Sequence, residues 1–183
     1  MENILKQSQE QQFSYRLWPA IEHDNPVTSC TLAHKQIVKW AKDNEQPSVW
    51  IMEDDVMFTA PKAADNFIYY RPVVYCIYTA GMYGTHKFWD RRSGYDYPKS
   101  MSGTHCYLVH KRAYDRFLAL PEDIHLDLAI SNEFGFQNKT ELVLAKPMYA
   151  IQIPGYSDML GQIVDYNNDK YLWQFELFKQ PAA

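Results

Sequence analysis

Ser48-Val49-Trp50-Ile51-Met52-Glu53-Asp54-Asp55-Val56 is the stretch whose reading decides the fold class. Five mostly apolar, strand-like residues run directly into three consecutive carboxylates. A buried strand that ends in acids places them at the carboxyl edge of a sheet, where open α/β folds bind ligands. Adjacent carboxylates repel one another and cost stability unless a cation or hydrogen-bond donors sit among them. One reading is a divalent-metal site serving a phosphate-bearing ligand. The other is a polar strand end whose acids favour the N-terminus of a following helix. The triplet alone leaves both open.

Working outward, Glu45-Gln46-Pro47 ends a helix that Thr28 or Ser29 caps and that runs to about Asn44, with Ala33, Ile37, Trp40 and Ala41 at helical spacing. Before it, residues 2–12 predict a short polar helix. Phe13-Ser14-Tyr15-Arg16-Leu17-Trp18 alternates large apolar with polar side chains, which predicts a strand closed by Pro19. After the acids, Pro61 opens a helix to about Tyr70. The apolar run Val73-Val74-Tyr75-Cys76-Ile77-Tyr78 predicts a strand covered on both faces. Residues 79–103 hold glycines and a basic, aromatic mixture without clear periodicity, as expected of a functional loop or lid. A strand over 106–109, a helix over 111–120, a second helix through Glu133, and strands over 142–145 and 149–152 follow. Strands alternating with helices predict an α/β fold, with Ser48–Met52 central in its sheet and a single domain over 1–183.

A length of 183 residues allows a substantial core, and the 46% hydrophobic and 22% charged fractions match an ordinary globular chain. Fourteen Tyr and five Trp suit sugar-facing or base-facing surfaces as well as a core. The net charge of −4 supplies no basic field, so no nucleic-acid partner is expected. Cys30, Cys76 and Cys106 are odd in number and lie in apolar surroundings. They read as buried thiols of a reducing compartment rather than as disulfides or a zinc site. No apolar run approaches the ~20 residues of a transmembrane segment, and a cytoplasmic location is the expectation.

Several pieces, in order, resemble one family. Cys30-x-Leu32-x-His34 precedes the strand ending Glu53-Asp54-Asp55-Val56, and Gly103-Thr104-His105-Cys106-Tyr107-Leu108 follows. Leu126-Asp127 and then Gln152 with Ser157-Asp158 complete the set. Across roughly residues 15–160 this order resembles family-25 glycosyltransferases, which include lipooligosaccharide and collagen galactosyltransferases. The resemblance implies one mixed, mostly parallel sheet flanked by helices, of the nucleotide-sugar transferase (GT-A-like) type. It also implies that Glu53 and Asp55, the outer acids of a DXD-like motif, bind Mn²⁺ or Mg²⁺ bridging the donor diphosphate. The family begins with an "INLxxRxxR" strand that cradles the nucleoside, and Met1 corresponds to a point after it. The form expected is therefore N-terminally truncated, with weak base selectivity.

Asp127 is the candidate general base toward an acceptor hydroxyl, or else a plain acid at a helix start. His125 is a candidate third metal ligand, or a surface or capping residue. Arg91 and Arg92 suit donor phosphates but also solvent, and Thr104 is a candidate donor contact. His34 reads as a core or cross-strand hydrogen-bonding residue, and Tyr75 and Tyr107 as core. No P-loop, G-x-G-x-x-G or supported Ser–His–Asp arrangement is present, which weighs against kinase, dehydrogenase and hydrolase readings. The expected activity is metal-dependent transfer of a hexose, galactose by the resemblance, from a nucleotide sugar such as a UDP-hexose to a carbohydrate or protein hydroxyl. The alternatives are a catalytically silent sugar- or partner-binding domain and a metal-dependent hydrolase using the same acids.

Overall fold

The computed structural model describes residues 2–72, 75–82, 88–92, 95–135, 141–157 and 161–165. In chain order these form α1 (Glu2–Gln11), α2 (Pro26–Asp43), β1 (Ser48–Met52), β2 (Val56–Phe58), α3 (Ala63–Tyr69) and β3 (Ile77–Thr79). There follow β4 (Phe88–Arg92), β5 (Tyr95–Pro98), β6 (Cys106–His110), α4 (Tyr114–Leu118), α5 (Leu126–Ile130), β7 (Leu142–Ala145), β8 (Ala150–Gln152), β9 (Gly155–Ser157) and β10 (Gln162–Val164).

Six strands form the main sheet in the order β1-β6-β3-β7-β5-β4. It is mixed, as expected, but not mostly parallel: β3 pairs parallel with β7, and the other four pairings are antiparallel. Two insertions cause this. The strand β6 runs antiparallel between β1 and β3, and the β4–β5 hairpin docks antiparallel on β7. Among the described residues β1 is also an edge strand, not the central one. The stretch expected to be a strand over 13–18 joins no ladder. Phe13 packs on Trp50 and Phe58 in one layer, and Trp18 packs on Trp40 of α2 in the other. The Arg16 guanidinium covers Trp18 at 4.4 Å.

Period-two alternation divides the core between the faces of this sheet. Val49, Ile51, Tyr107, Val109, Leu142 and Leu144 face one way, against Val38 and Ala41 of α2, Phe117 of α4 and Ile130 of α5. Their neighbours Trp50, Leu108, Tyr78 and Val143 face the other layer, against Phe58, Phe67 and Tyr149. Strands buried on both faces explain why the sequence shows continuous apolar runs there.

The helix α2 starts earlier than expected. Asn25 caps it, Oδ1 accepting from the Val27 N–H at 2.9 Å with Pro26 in the first turn. Thr28 and Ser29 instead bond the Glu122 and Ile21 carbonyls. The polar helix α1 has a purpose that composition hides. Asn3, Gln7 and Gln11, spaced four apart, point one row of amides at the chain around β2. Asn3 donates to the Asp54 and Val56 carbonyls, Gln7 accepts from the Phe58 N–H, and Gln11 bonds Ala60 and Ala64. The other edge of β2 pairs with β8, so the segment leaving the acid triplet is held on both sides.

The expected lid over 79–103 is partly sheet. Residues 95–98 are strand β5, and Asp96 is fully buried with Lys146 at 3.5 Å. Arg91 and Arg92 lie in β4, and their side chains fall outside the described residues.

Gly81 marks a close approach of backbone to backbone. A Cβ there would sit 2.0 Å from the Ala150 carbonyl oxygen, in a turn where Ala80 accepts from the Tyr149 N–H at 2.8 Å. Gly81→Ala is expected to cost about 3 kcal/mol in urea unfolding, the upper range for overpacking. Unchanged stability would show that the 80–81 turn moves freely against β8.

Candidate functional site

The antiparallel register of β1 and β6 builds the site. Met52 pairs with Cys106, and the Glu53 N–H continues the ladder to the His105 carbonyl at 3.0 Å. Glu53 therefore faces the residues that enter β6, and Thr104 Oγ1 donates to Glu53 Oε1 at 2.6 Å. Gly103 adopts φ 90°, a backbone state that favours glycine, and its N–H donates to Asp127 Oδ2 at 3.1 Å. Asp127 Oδ1 accepts from the Leu128 N–H at 2.7 Å, so this acid joins the turn before β6 to the first turn of α5.

From α2, His34 enters the same place. Its Nδ1 lies 2.7 Å from the Tyr107 hydroxyl, and its Nε2 lies 3.6 Å from Glu53 Oε1. The imidazole stacks on Tyr107 with an interplanar angle of 7°. Both rings are buried, as the sequence reading of each as a core residue implies. Cys30, one turn earlier on α2, belongs to the same group: one donor atom each from Cys30, His34 and Glu53 lie within 4.8 Å of one another. The i, i+4 spacing on α2 was the available signal for this pair.

Asp55 lies two residues on. Oδ2 accepts a hydrogen bond from Gln152 Nε2 of β8, and Oδ1 is buried without a donor from another residue among the described residues. Asp54 between them is exposed. His125 is exposed at the start of α5 and lies outside the group formed by Cys30, His34 and Glu53. The structure thus brings Glu53, Thr104 and Asp127 together, with Asp55 beside them.

Burial and crowding of like charge govern the titration here. Burial, then repulsion by Asp55, raises Glu53 from 4.5 to about 7, against the opposing hydrogen bond from Thr104. Burial also raises Asp55. Burial lowers His34 from 6.5 to about 4, and burial with repulsion from Glu53 and Asp127 pushes the Cys30 thiol up to about 12. The Glu53 side chain keeps a quarter of its surface in water, which tempers its desolvation. Both shifts favour a neutral imidazole beside a protonated carboxyl, in keeping with a 3.6 Å separation that is longer than a hydrogen bond.

Two cavities lie elsewhere. One of about 380 Å³ opens at the other end of β1 between Ser48, Arg71, Tyr75 and His110. Another of about 250 Å³ lies beside Arg116 and Ile124. Neither holds the acids, whose chemistry depends on their mutual distances and not on an enclosed volume. No helix among the described residues is long and apolar enough to cross a membrane.

Comparison of the chain with protein-family models and with curated proteins finds no match.

The sign of the pH response follows from these shifts. A raised Glu53 contributes stability fully present below pH 4.5 and lost as pH rises through about 7. A lowered His34 contributes stability present above 6.5 and lost as pH falls through about 4. In chelator-treated protein, Glu53→Gln is expected to remove the upper loss. Wild type should therefore lose about 2 kcal/mol relative to the variant between about pH 5 and about pH 8, measured by urea unfolding. Parallel curves would show that Glu53 titrates as a solvated acid.

Proposed function

We propose that this protein is a metal-dependent glycosyltransferase that moves a hexose from a nucleotide sugar to a carbohydrate or protein hydroxyl. One observation carries the reading. The sequence pieces that resemble family-25 glycosyltransferases lie up to about a hundred residues apart, yet they touch. Glu53 meets Thr104 and His34, Gly103 meets Asp127, His34 meets Tyr107, and Asp55 meets Gln152.

Glu53 and Asp55 fit a hard divalent cation: their donors are carboxylate oxygens, they repel each other, and Asp55 Oδ1 has no donor from another residue among the described residues. Mn²⁺ or Mg²⁺ held there would neutralise charge on a departing nucleoside diphosphate. The chain's own residues supply the rest. Thr104 fixes one oxygen of Glu53, leaving the other for binding. Asp127, held by the Gly103 N–H, accepts the acceptor hydroxyl proton as oxygen bonds to the sugar's anomeric carbon and the bond to the diphosphate breaks. Arg91 and Arg92 on β4 are the cations assigned to the donor phosphates, and UDP-hexose is the donor class. The rival reading, a silent sugar- or partner-binding domain, draws support from the two cavities that lie away from the acids.

Asp55→Asn is expected to abolish Mn²⁺-dependent UDP binding in calorimetry while the melting temperature holds or rises, because repulsion is relieved. Asp127→Asn is expected to keep UDP binding and lower kcat for transfer at least about 100-fold. If wild-type protein binds no nucleotide with Mn²⁺ or Mg²⁺ present, the silent-domain reading replaces this one.

A further inference from the structure

Cys30 and His34 stand one turn apart on α2 and face Glu53 at the end of β1, with one donor atom from each inside a 4.8 Å group. In a tetrahedral zinc centre, thiolate, imidazole and carboxylate donors stand about 3.3–3.6 Å apart. The His34 Nε2 to Glu53 Oε1 separation is already 3.6 Å. The Cys30 thiol, on a half-buried residue, lies within 4.8 Å of both.

The surroundings match those of a ligand set. A metal-bound imidazole uses one nitrogen and hydrogen-bonds through the other to a fixed partner. His34 does this: Nδ1 is engaged by the buried Tyr107 hydroxyl, which leaves Nε2 aimed at the group. Bound carboxylates are likewise steadied by a donor, and Thr104 serves Glu53 at 2.6 Å. A sulfur–nitrogen–oxygen set is softer than an all-carboxylate one and selects zinc or cobalt over magnesium or calcium.

We propose that Cys30, His34 and Glu53 form a three-ligand site for a zinc-class divalent ion, with its fourth position left to water or a ligand. The sequence reading of the cysteines as metal-free thiols does not hold for Cys30 under this proposal. The site shares Glu53 with the transferase reading but does not rest on it, since Cys30 and His34 lie outside the acids that reading uses for the diphosphate.

Cobalt is the probe. Chelator-treated full-length protein is expected to take up one equivalent of Co²⁺. It should develop a thiolate-to-cobalt charge-transfer band with tetrahedral visible bands, and zinc should bleach both. Cys30→Ser is expected to lose the charge-transfer band and weaken zinc binding more than about 100-fold, beyond the effect of outer partners. Tyr107→Phe should keep the band and weaken zinc about 10-fold. A circular-dichroism spectrum of metal-free Cys30→Ser that matches wild type shows that the loss is not unfolding. The proposal is overturned if wild type shows no charge-transfer band, or if the band persists in Cys30→Ser, where Cys76 or Cys106 must then supply it. Because Glu53 is common to both sites, nucleotide binding with Mn²⁺ is measured separately on zinc-free protein, and the Cys30→Ser readout, which leaves Glu53 and Asp55 intact, separates failure of one proposal from failure of the other.

Discussion

The antiparallel pairing of β1 with β6 is the constraint on which the rest depends. Because Met52 faces Cys106, the residue after β1 must face the residue before β6. Glu53 is thereby set opposite His105, within reach of the Thr104 hydroxyl, while Gly103 just before them bonds Asp127 of α5. Shifting this register by one residue would turn Ile51 and Tyr107 out of one layer and Trp50 and Leu108 out of the other. Both cores therefore enforce the register, and the polar edge inherits its geometry from the apolar faces.

That edge is electrostatically poised. Glu53, Asp55 and Asp127 are close enough to raise the proton affinity of Glu53, while His34 is held neutral by burial. Among the described residues, Thr104, the Gly103 and Leu128 amides, and Gln152 donate to these acids. Crowding anions at a sheet edge costs folding free energy, and a bound cation recovers it. The segment carrying the acids is correspondingly well anchored, by the amide row of α1 on one side and by β8 on the other.

Much of the fold was legible in local pattern. The strands at Ser48–Met52 and Leu142–Ala145 and the helix between the Asn25 turn and Pro47 follow from apolar runs, spacing and breakers. Strand direction and position were not legible. An apolar run such as Cys106–His110 reports burial and nothing about which way the strand runs. The largely parallel sheet was what the family resemblance implied, and the antiparallel insertion of β6 between β1 and β3 overturns it, with β1 at the edge of the described sheet. Alternation at 13–18 predicted a strand but could not reveal that this stretch packs Phe13 in one layer and Trp18 in the other without pairing. At the site, Glu53 stood out because three consecutive carboxylates at a strand end are costly unless partnered, whereas Thr104 and Asp127 stood out through the family resemblance. The role of His34 depends on Tyr107, 73 residues away, a contact that no local spacing encodes. His125 stood out by proximity in sequence to Asp127, yet helix geometry leaves it exposed at the outer end of α5.

Paramagnetic Mn²⁺ tests most directly whether this edge is where a metal and nucleotide meet. In amide NMR spectra with UDP present, substoichiometric Mn²⁺ should broaden Glu53, Asp54, Asp55, Gly103, Thr104 and Asp127 first and leave the exposed acids Asp43 and Glu122 sharp. Broadening spread over exposed acids, or none at the ends of β1 and β6, would contradict the assignment of this edge as the site.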